Sequence, residues 1–277
     1  ERGVVFNTLL GNHDIYYRHR LDVNLSSVIQ RIFPDNFKLY SENTLIDFYD
    51  KKILVIPWLV RDAEFPFDMM KQADAVFGHL EINGFEMVKG HKAEEAKLNK
   101  GQFKIPVFTG HFHIKNDKGL VKYIGTPYQI TWNDFNENKG VYILNEDLSV
   151  EFIENNMSPR FIQCHYDSKK NKPLEIIGLK KKLSYNLDNL RENKGILGYN
   201  KIKFIIHTSD SSYEDYLFVL REAGIDFEVV NKFRIDEIEV NDEKISNTKD
   251  IILSFLKENH SHYIEEITEL IGEIDED

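Results

Sequence analysis

The sequence predicts an α/β layered domain followed by a smaller α+β domain, and three observations carry that expectation. Short β-branched or aromatic runs alternate with helical spacings. Several of these runs end directly in a histidine. After about residue 155 the texture changes and a β-α-β unit follows. With 277 residues, 42% hydrophobic and 12% aromatic, the chain can bury one sizeable core and a smaller second one. We divide it at residues 1–155, 156–235 and 236–277.

Residues 4–10 (VVFNTLL) read as a mid-domain strand leading into Gly11-Asn12-His13-Asp14, so an upstream portion is expected to be missing. Residues 24–33 (NLSSVIQRIF) have helical spacing, and Pro34 stops them. Strands are expected at 37–40, 44–49 and 52–56, and a helix at 61–72. Residues 75–78 (AVFG) and 104–109 (KIPVFT) read as buried strand ends, each running into a histidine. Further strands are expected at 120–124, 141–144 and 150–153, the first closing on a Gly-Thr-Pro turn at 125–127. In the smaller domain, strands at 161–166, 203–207 and 226–230 surround a helix whose start is bracketed by Ser211 and Glu214 as a capping box and whose end is marked by Gly224. Ile251, Phe255, Ile264, Ile267 and Leu270 form apolar stripes on two further helices, which suit either core packing or docking on a partner.

No apolar run approaches the ~20 residues that span a bilayer, and the N-terminus lacks a basic-plus-apolar signal region, so a soluble cytoplasmic protein without membrane association is expected. The single cysteine, Cys164, excludes an internal disulfide and any multi-thiolate zinc or iron–sulfur site. A metal in this chain must therefore be held by His, Asn and carboxylates. The net charge of −11 argues at first against nucleic acid. Its distribution reverses that argument: residues 236–277 hold 14 acidic and 3 basic residues, leaving 32 of each in the body. Within the body, Lys169, Lys170, Lys172, Lys180, Lys181 and Lys182 cluster in KKNKPLEIIGLKKK, either as a solvated face or as a phosphate-contacting patch.

The chemistry concentrates in three motifs, Asn12-His13-Asp14, Gly78-His79 and Gly110-His111-Phe112-His113. Glycine ahead of the histidine lets the chain turn and present the next side chain at the sheet edge, where open α/β sheets hold their sites. In extended chain, His111 and His113 at spacing i, i+2 would point to one side and could serve two adjacent ions. The plainer alternatives are a strand-ending turn at GNHD and ordinary histidines elsewhere.

GNHD, GH and GHxH, in that order and each behind a strand, resemble the calcineurin-like metallophosphoesterase superfamily. VIPW at 55–58, GHLEINGF at 78–85 and YIGTPY at 123–128 narrow the likeness to SbcD-type nuclease subunits and T4-like phage recombination endonucleases. The resemblance covers residues 1 to about 155, and the small domain by position only. It implies a four-layer α/β/β/α sandwich, with a small α+β capping domain and C-terminal helices. It further implies a site for two manganese ions, with magnesium as the alternative, acting on DNA ends. Asn12, His79 and His111 would hold one ion and His113 the other. His13 would protonate the leaving 3′-oxygen and Asp14 would orient His13. An SbcC-like ATPase partner and a homodimer are implied as well, in the host cytoplasm if the protein is viral. The family's preceding Asp-x-His and Gly-Asp motifs are not in this sequence, so the chain alone is expected to hold the second ion weakly and to hydrolyse DNA negligibly. A small-molecule phosphoesterase, or a non-catalytic module of the same fold, are the competing readings. The extra domain and helical tail weigh against the first, and the retained histidines against the second.

Overall fold

The computed structural model describes residues 3–60 and 63–232, a mixed α/β chain with several sheets and few helices. Strand β1 (Phe6–Leu9) pairs in parallel with β2 (Phe37–Tyr40), and α1 (Ser26–Ile32) lies between them in sequence. β3 (Thr44–Phe48) is antiparallel to β4 (Lys51–Ile56); α2 (Phe67–Met70) then leads to β5 (Ala75–His79), parallel to β4. Four short strands, β6 (Ile82–Asn83), β7 (Glu86–Val88), β8 (His91–Lys92) and β9 (Leu98–Asn99), make two small ribbons. β10 (Val107–Gly110), β11 (Asn116–Lys118) and β12 (Val121–Tyr123) complete a six-stranded sheet of order β11-β12-β10-β5-β4-β3.

The continuous apolar run of β4 explains its central place, because a strand covered on both faces needs no polar alternation. Leu54 and Ile56 face a core with Val76, Leu80, Phe85, Val107 and Tyr123, whereas Ile53 and Val55 join Ala75 and Phe108 on the other side. β12, β10, β5 and β4 are parallel, so the loops leaving their C-terminal ends emerge at one edge. His79 lies directly opposite Gly110 in that register.

After the β13 (Gly140–Leu144) and β14 (Val150–Glu154) hairpin, a second sheet of order β17-β16-β15-β18-β19 forms. Its strands are β15 (Phe161–Tyr166), β16 (Leu174–Ile177), β17 (Leu183–Tyr185), β18 (Lys201–Ile206) and β19 (Phe227–Asn231), with helices α3 (Leu187–Asn193) and α4 (Glu214–Glu222). Ile162, Cys164 and Tyr166 alternate inward along β15, beside the buried Ile202, Phe204 and Ile206 of β18. The Tyr216 ring of α4 lies 5.0 Å from that of Tyr166. Cys164 is fully buried, and burial pushes its thiol up to about 12.

Several expected elements are altered. The helix expected at 61–72 shrinks to α2, because Pro66 lacks an N–H and disfavours helical backbone in the residue before it. The 24–33 helix starts later, after the Asn24 side chain has accepted a bond from Ser27 N at 2.7 Å. Ahead of α4, Asp210 caps a 3-10 turn opened by Ser211, accepting from Ser212 N at 3.0 Å, and Glu214 begins the helix without a side-chain cap. β16, β17 and α3 come in addition to the expected strands. Residues 1–232 form one compact unit, and the tail with its apolar stripes lies outside the described residues. Among the described residues no helix is long and apolar enough to cross a membrane.

Candidate metal centre

The site is assembled from three strand ends. Leu10, fully buried behind β1, is fixed by its backbone: its N–H donates to Tyr40 O at 3.3 Å and its carbonyl accepts from Trp58 N at 2.7 Å. The chain then turns at Gly11-Asn12-His13-Asp14, with Asp14 Oδ2 accepting from Gly11 N at 2.6 Å. A Cβ at Gly11 would stand 2.9 Å from His79 Cε1 and 3.1 Å from His79 Nδ1, so only glycine admits this approach. Asp14 thus braces the turn from its far end, three residues after Gly11.

The Asn12 amide oxygen lies 2.9 Å from His79 Nε2 and 3.2 Å from His111 Nδ1. The His79 and His111 rings sit edge to face, 5.2 Å apart, because parallel pairing of β5 and β10 brings the two strand ends side by side. Trp58, just past β4, forms a wall against both, 4.9 Å from His111 and 6.0 Å from His79. Burial, reinforced by the neighbouring His111 and His13, lowers His79 to about 4. Burial with His13 and His113 does the same to His111. Both imidazoles are therefore neutral near pH 7 and keep a lone pair to donate.

The loops are held from behind. Phe112 stacks on Tyr123 at 4.4 Å, and the Tyr123 hydroxyl donates to Leu80 O at 2.9 Å while accepting from Ile82 N at 3.0 Å. Thr109 Oγ1 accepts from Leu80 N at 2.9 Å.

His113 is placed differently from expectation. His111 has φ +91, so the His-x-His segment bends at its first histidine and is not extended chain in which both rings share a face. The cause lies in the local packing: Thr126 N donates to His113 O at 3.2 Å, and Gly125 at φ +69 comes so near that a Cβ there would sit 2.9 Å from that oxygen. His113 Nδ1 faces Asp134 Oδ2 at 3.7 Å and makes no hydrogen bond, although the atom is buried. Asp134 belongs to the 3-10 turn Trp132–Asp134, and its Oδ2 accepts from Ile130 N and Thr131 N at 2.9 and 3.0 Å. Its Oδ1 accepts from Lys139 Nζ at 2.7 Å, and Lys139 Nζ also donates to His113 O at 2.7 Å. Burial pushes the Asp134 carboxyl up, but Lys139 and the two amides outweigh it and hold the group below its ordinary value.

Among the described residues no group of three or more His, Cys, Asp or Glu is arranged to hold a metal ion. What converges is one amide oxygen with two imidazoles. Those donors fit a divalent ion, being uncharged, gathered around one oxygen and of the oxygen–nitrogen type that borderline cations take. Trp58, Asp134 and Lys139 were not among the expected site residues. Trp58 closes the VIPW run, and the Thr131-x-x-Asp134 spacing of a capping box was the one local signal for Asp134.

The six lysines lie on two loops that meet at Glu175. Lys169, Lys170 and Lys172 lie between β15 and β16, and Lys180, Lys181 and Lys182 between β16 and β17, all exposed. Lys182 pairs with Glu175 at 2.7 Å, and Lys170 reaches the same carboxylate at 4.0 Å. Lys180 and Lys181 line a groove of about 490 Å³ with Met157, Arg160 and Tyr199.

No protein-family model matches the chain. Over 160 residues it is 32% identical to exonuclease subunit 1 of Enterobacteria phage T4, an alignment that covers 56% of this chain and 47% of that protein. The chain spans about half the length of that curated relative.

Proposed function

We propose that this chain carries part of a metal-dependent nuclease site that hydrolyses phosphodiester bonds at DNA ends, as one subunit of a recombination or repair complex. The observation that carries the reading is the convergence of the Asn12 oxygen on His79 Nε2 and His111 Nδ1. Likeness to a phage exonuclease subunit supports nucleic acid over a small phosphoester as substrate. In this reading the six-stranded sheet belongs to a four-layer metallophosphoesterase sandwich, residues 156–235 cap the DNA, the acidic tail docks on an SbcC-like ATPase, and two copies work as a dimer.

Asn12, His79 and His111 would hold one manganese ion and His113 would reach a second, with magnesium as the alternative. Such ions, when bound, neutralise charge on phosphoryl oxygens and activate a water. His13 stands beside His79 and His111 and would give its proton to the leaving 3′-oxygen. Asp14, which braces the turn carrying His13, would orient it. Lys169, Lys170, Lys172, Lys180, Lys181 and Lys182 would contact backbone phosphates without reading sequence.

Ligand count sets the expectation for the chain by itself: three donors for one ion, His113 alone for the other, and negligible hydrolysis of DNA. Calorimetric titration with manganese tests this. One site is expected, weakened about tenfold or more by Asn12→Ala. Two tight sites, or a titration indifferent to Asn12→Ala, would overturn it.

A further inference from the structure

The buried pair Asp134–Lys139 stands apart from the other ion pairs among the described residues. Its side chains are 1% and 5% exposed, whereas the others are exposed on at least one partner or are partly open. Taking two charges out of water is costly, and an apolar pair of similar volume is often no less stable in such a place. Such a pair therefore calls for a role beyond holding the fold. Both members are directed at one residue. Lys139 Nζ donates to the His113 carbonyl, and Asp134 Oδ2 is the group that the otherwise unpartnered His113 Nδ1 faces.

We propose that Asp134 and Lys139 are positioning residues for His113: the ammonium pins its backbone, and the carboxylate holds the ring in the tautomer with hydrogen on Nδ1 and the lone pair on Nε2. Between the two neutral tautomers the electrostatics favour one. A lone pair on Nδ1 would point at a carboxylate 3.7 Å away and be repelled, whereas an N–H there is attracted. That separation is roughly 0.8 Å beyond a normal N–H···O bond, so the carboxylate acts by its charge and closes to a hydrogen bond only if the ring advances. The amides of Ile130 and Thr131 hold the same Oδ2 that faces His113, so the carboxylate is not free to swing away to Lys139 alone. Orientation of a metal-binding imidazole by a carboxylate on its other nitrogen is a general device. The assignment rests on the proposed role of His113 as a ligand, and the experiment separates the two.

The test is nitrogen NMR of the 277-residue chain labelled on histidine, without metal, comparing wild type with Asp134→Asn/Lys139→Met. The asparagine oxygen keeps the cap on Ile130 and Thr131, and removal of both charges leaves no orphaned ion, so the variant is expected to fold. In the wild type His113 should show a protonated Nδ1 and an unprotonated Nε2; in the variant the two tautomers should mix. A wild-type His113 protonated on Nε2, or a variant that keeps the wild-type tautomer, would overturn the positioning role. If the variant does not fold, Asp134→Asn alone gives the same comparison. The tautomer is read without metal and manganese binding by the calorimetric titration, so failure of one leaves the other standing.

Discussion

At the scale of single residues, the site depends on how closely backbone can approach an imidazole. Gly11→Ala places a methyl 2.9 Å from His79 Cε1 and 3.2 Å from Asp14 Oδ2. We expect a loss of about 1–3 kcal/mol in urea denaturation, as for other overpacked positions, and weaker manganese binding because His79 must turn aside. A second expectation concerns pH in the metal-free protein. His79 and His111 stand near 4 in the fold against an ordinary 6.5, burial being the first cause. On acidification the unfolded chain takes up protons first, so stability is full above about pH 6.5, falls towards pH 4, and levels off below. Urea midpoints across that window should fall in the wild type and fall less in His79→Gln/His111→Gln. The histidines themselves were legible because each follows a glycine at the end of an apolar run. Asp134 and Lys139 were not, since position 134 meets position 113 only after β11, β12 and the turn behind them have folded back, and no spacing in the sequence records that meeting.

At the scale of elements, β4 was the easiest to read and is the most consequential. Ile53, Leu54, Val55 and Ile56 are buried on alternating faces, and β4 joins the β3 edge to the strand that carries His79. Leu54→Ala should destabilise the chain by about 2–5 kcal/mol, measured as a shift in the denaturation midpoint, because the cavity opens within the core shared with Leu80 and Val107. Elements were misread where two signals competed. Residues 169–182 present so many lysines that the apolar alternation of β16, with Leu174 and Ile176 inward, was masked by charge. The 61–72 stretch shows the converse, a helical spacing overruled at Pro66 by the backbone itself. The extended His-x-His expectation failed for a similar reason: contacts from Gly125 and Thr126 decide the path through His113, and they come from a later turn.

At the scale of the whole molecule, the distribution of apolar surface is uneven. Between Val4 and Phe33 ten large apolar or aromatic side chains are at least 42% exposed, among them Phe6 at 63%, Leu25 at 68% and Ile32 at 63%. Among the described residues β1 pairs with β2 alone, so this part of the chain presents both strand edge and apolar side chains. Self-association that rises with concentration is expected in sedimentation, and Leu25→Lys/Ile32→Lys should reduce it; monomeric behaviour at all concentrations would contradict this. The lone thiol of Cys164 has a different consequence. Sealed between β16 and β18 and held far from ionisation, it is silent towards alkylating reagents while the five-stranded sheet stays closed. Since no second sulfhydryl competes, the pace of its labelling is a built-in stopwatch for the opening of that sheet, readable by mass spectrometry without adding a probe.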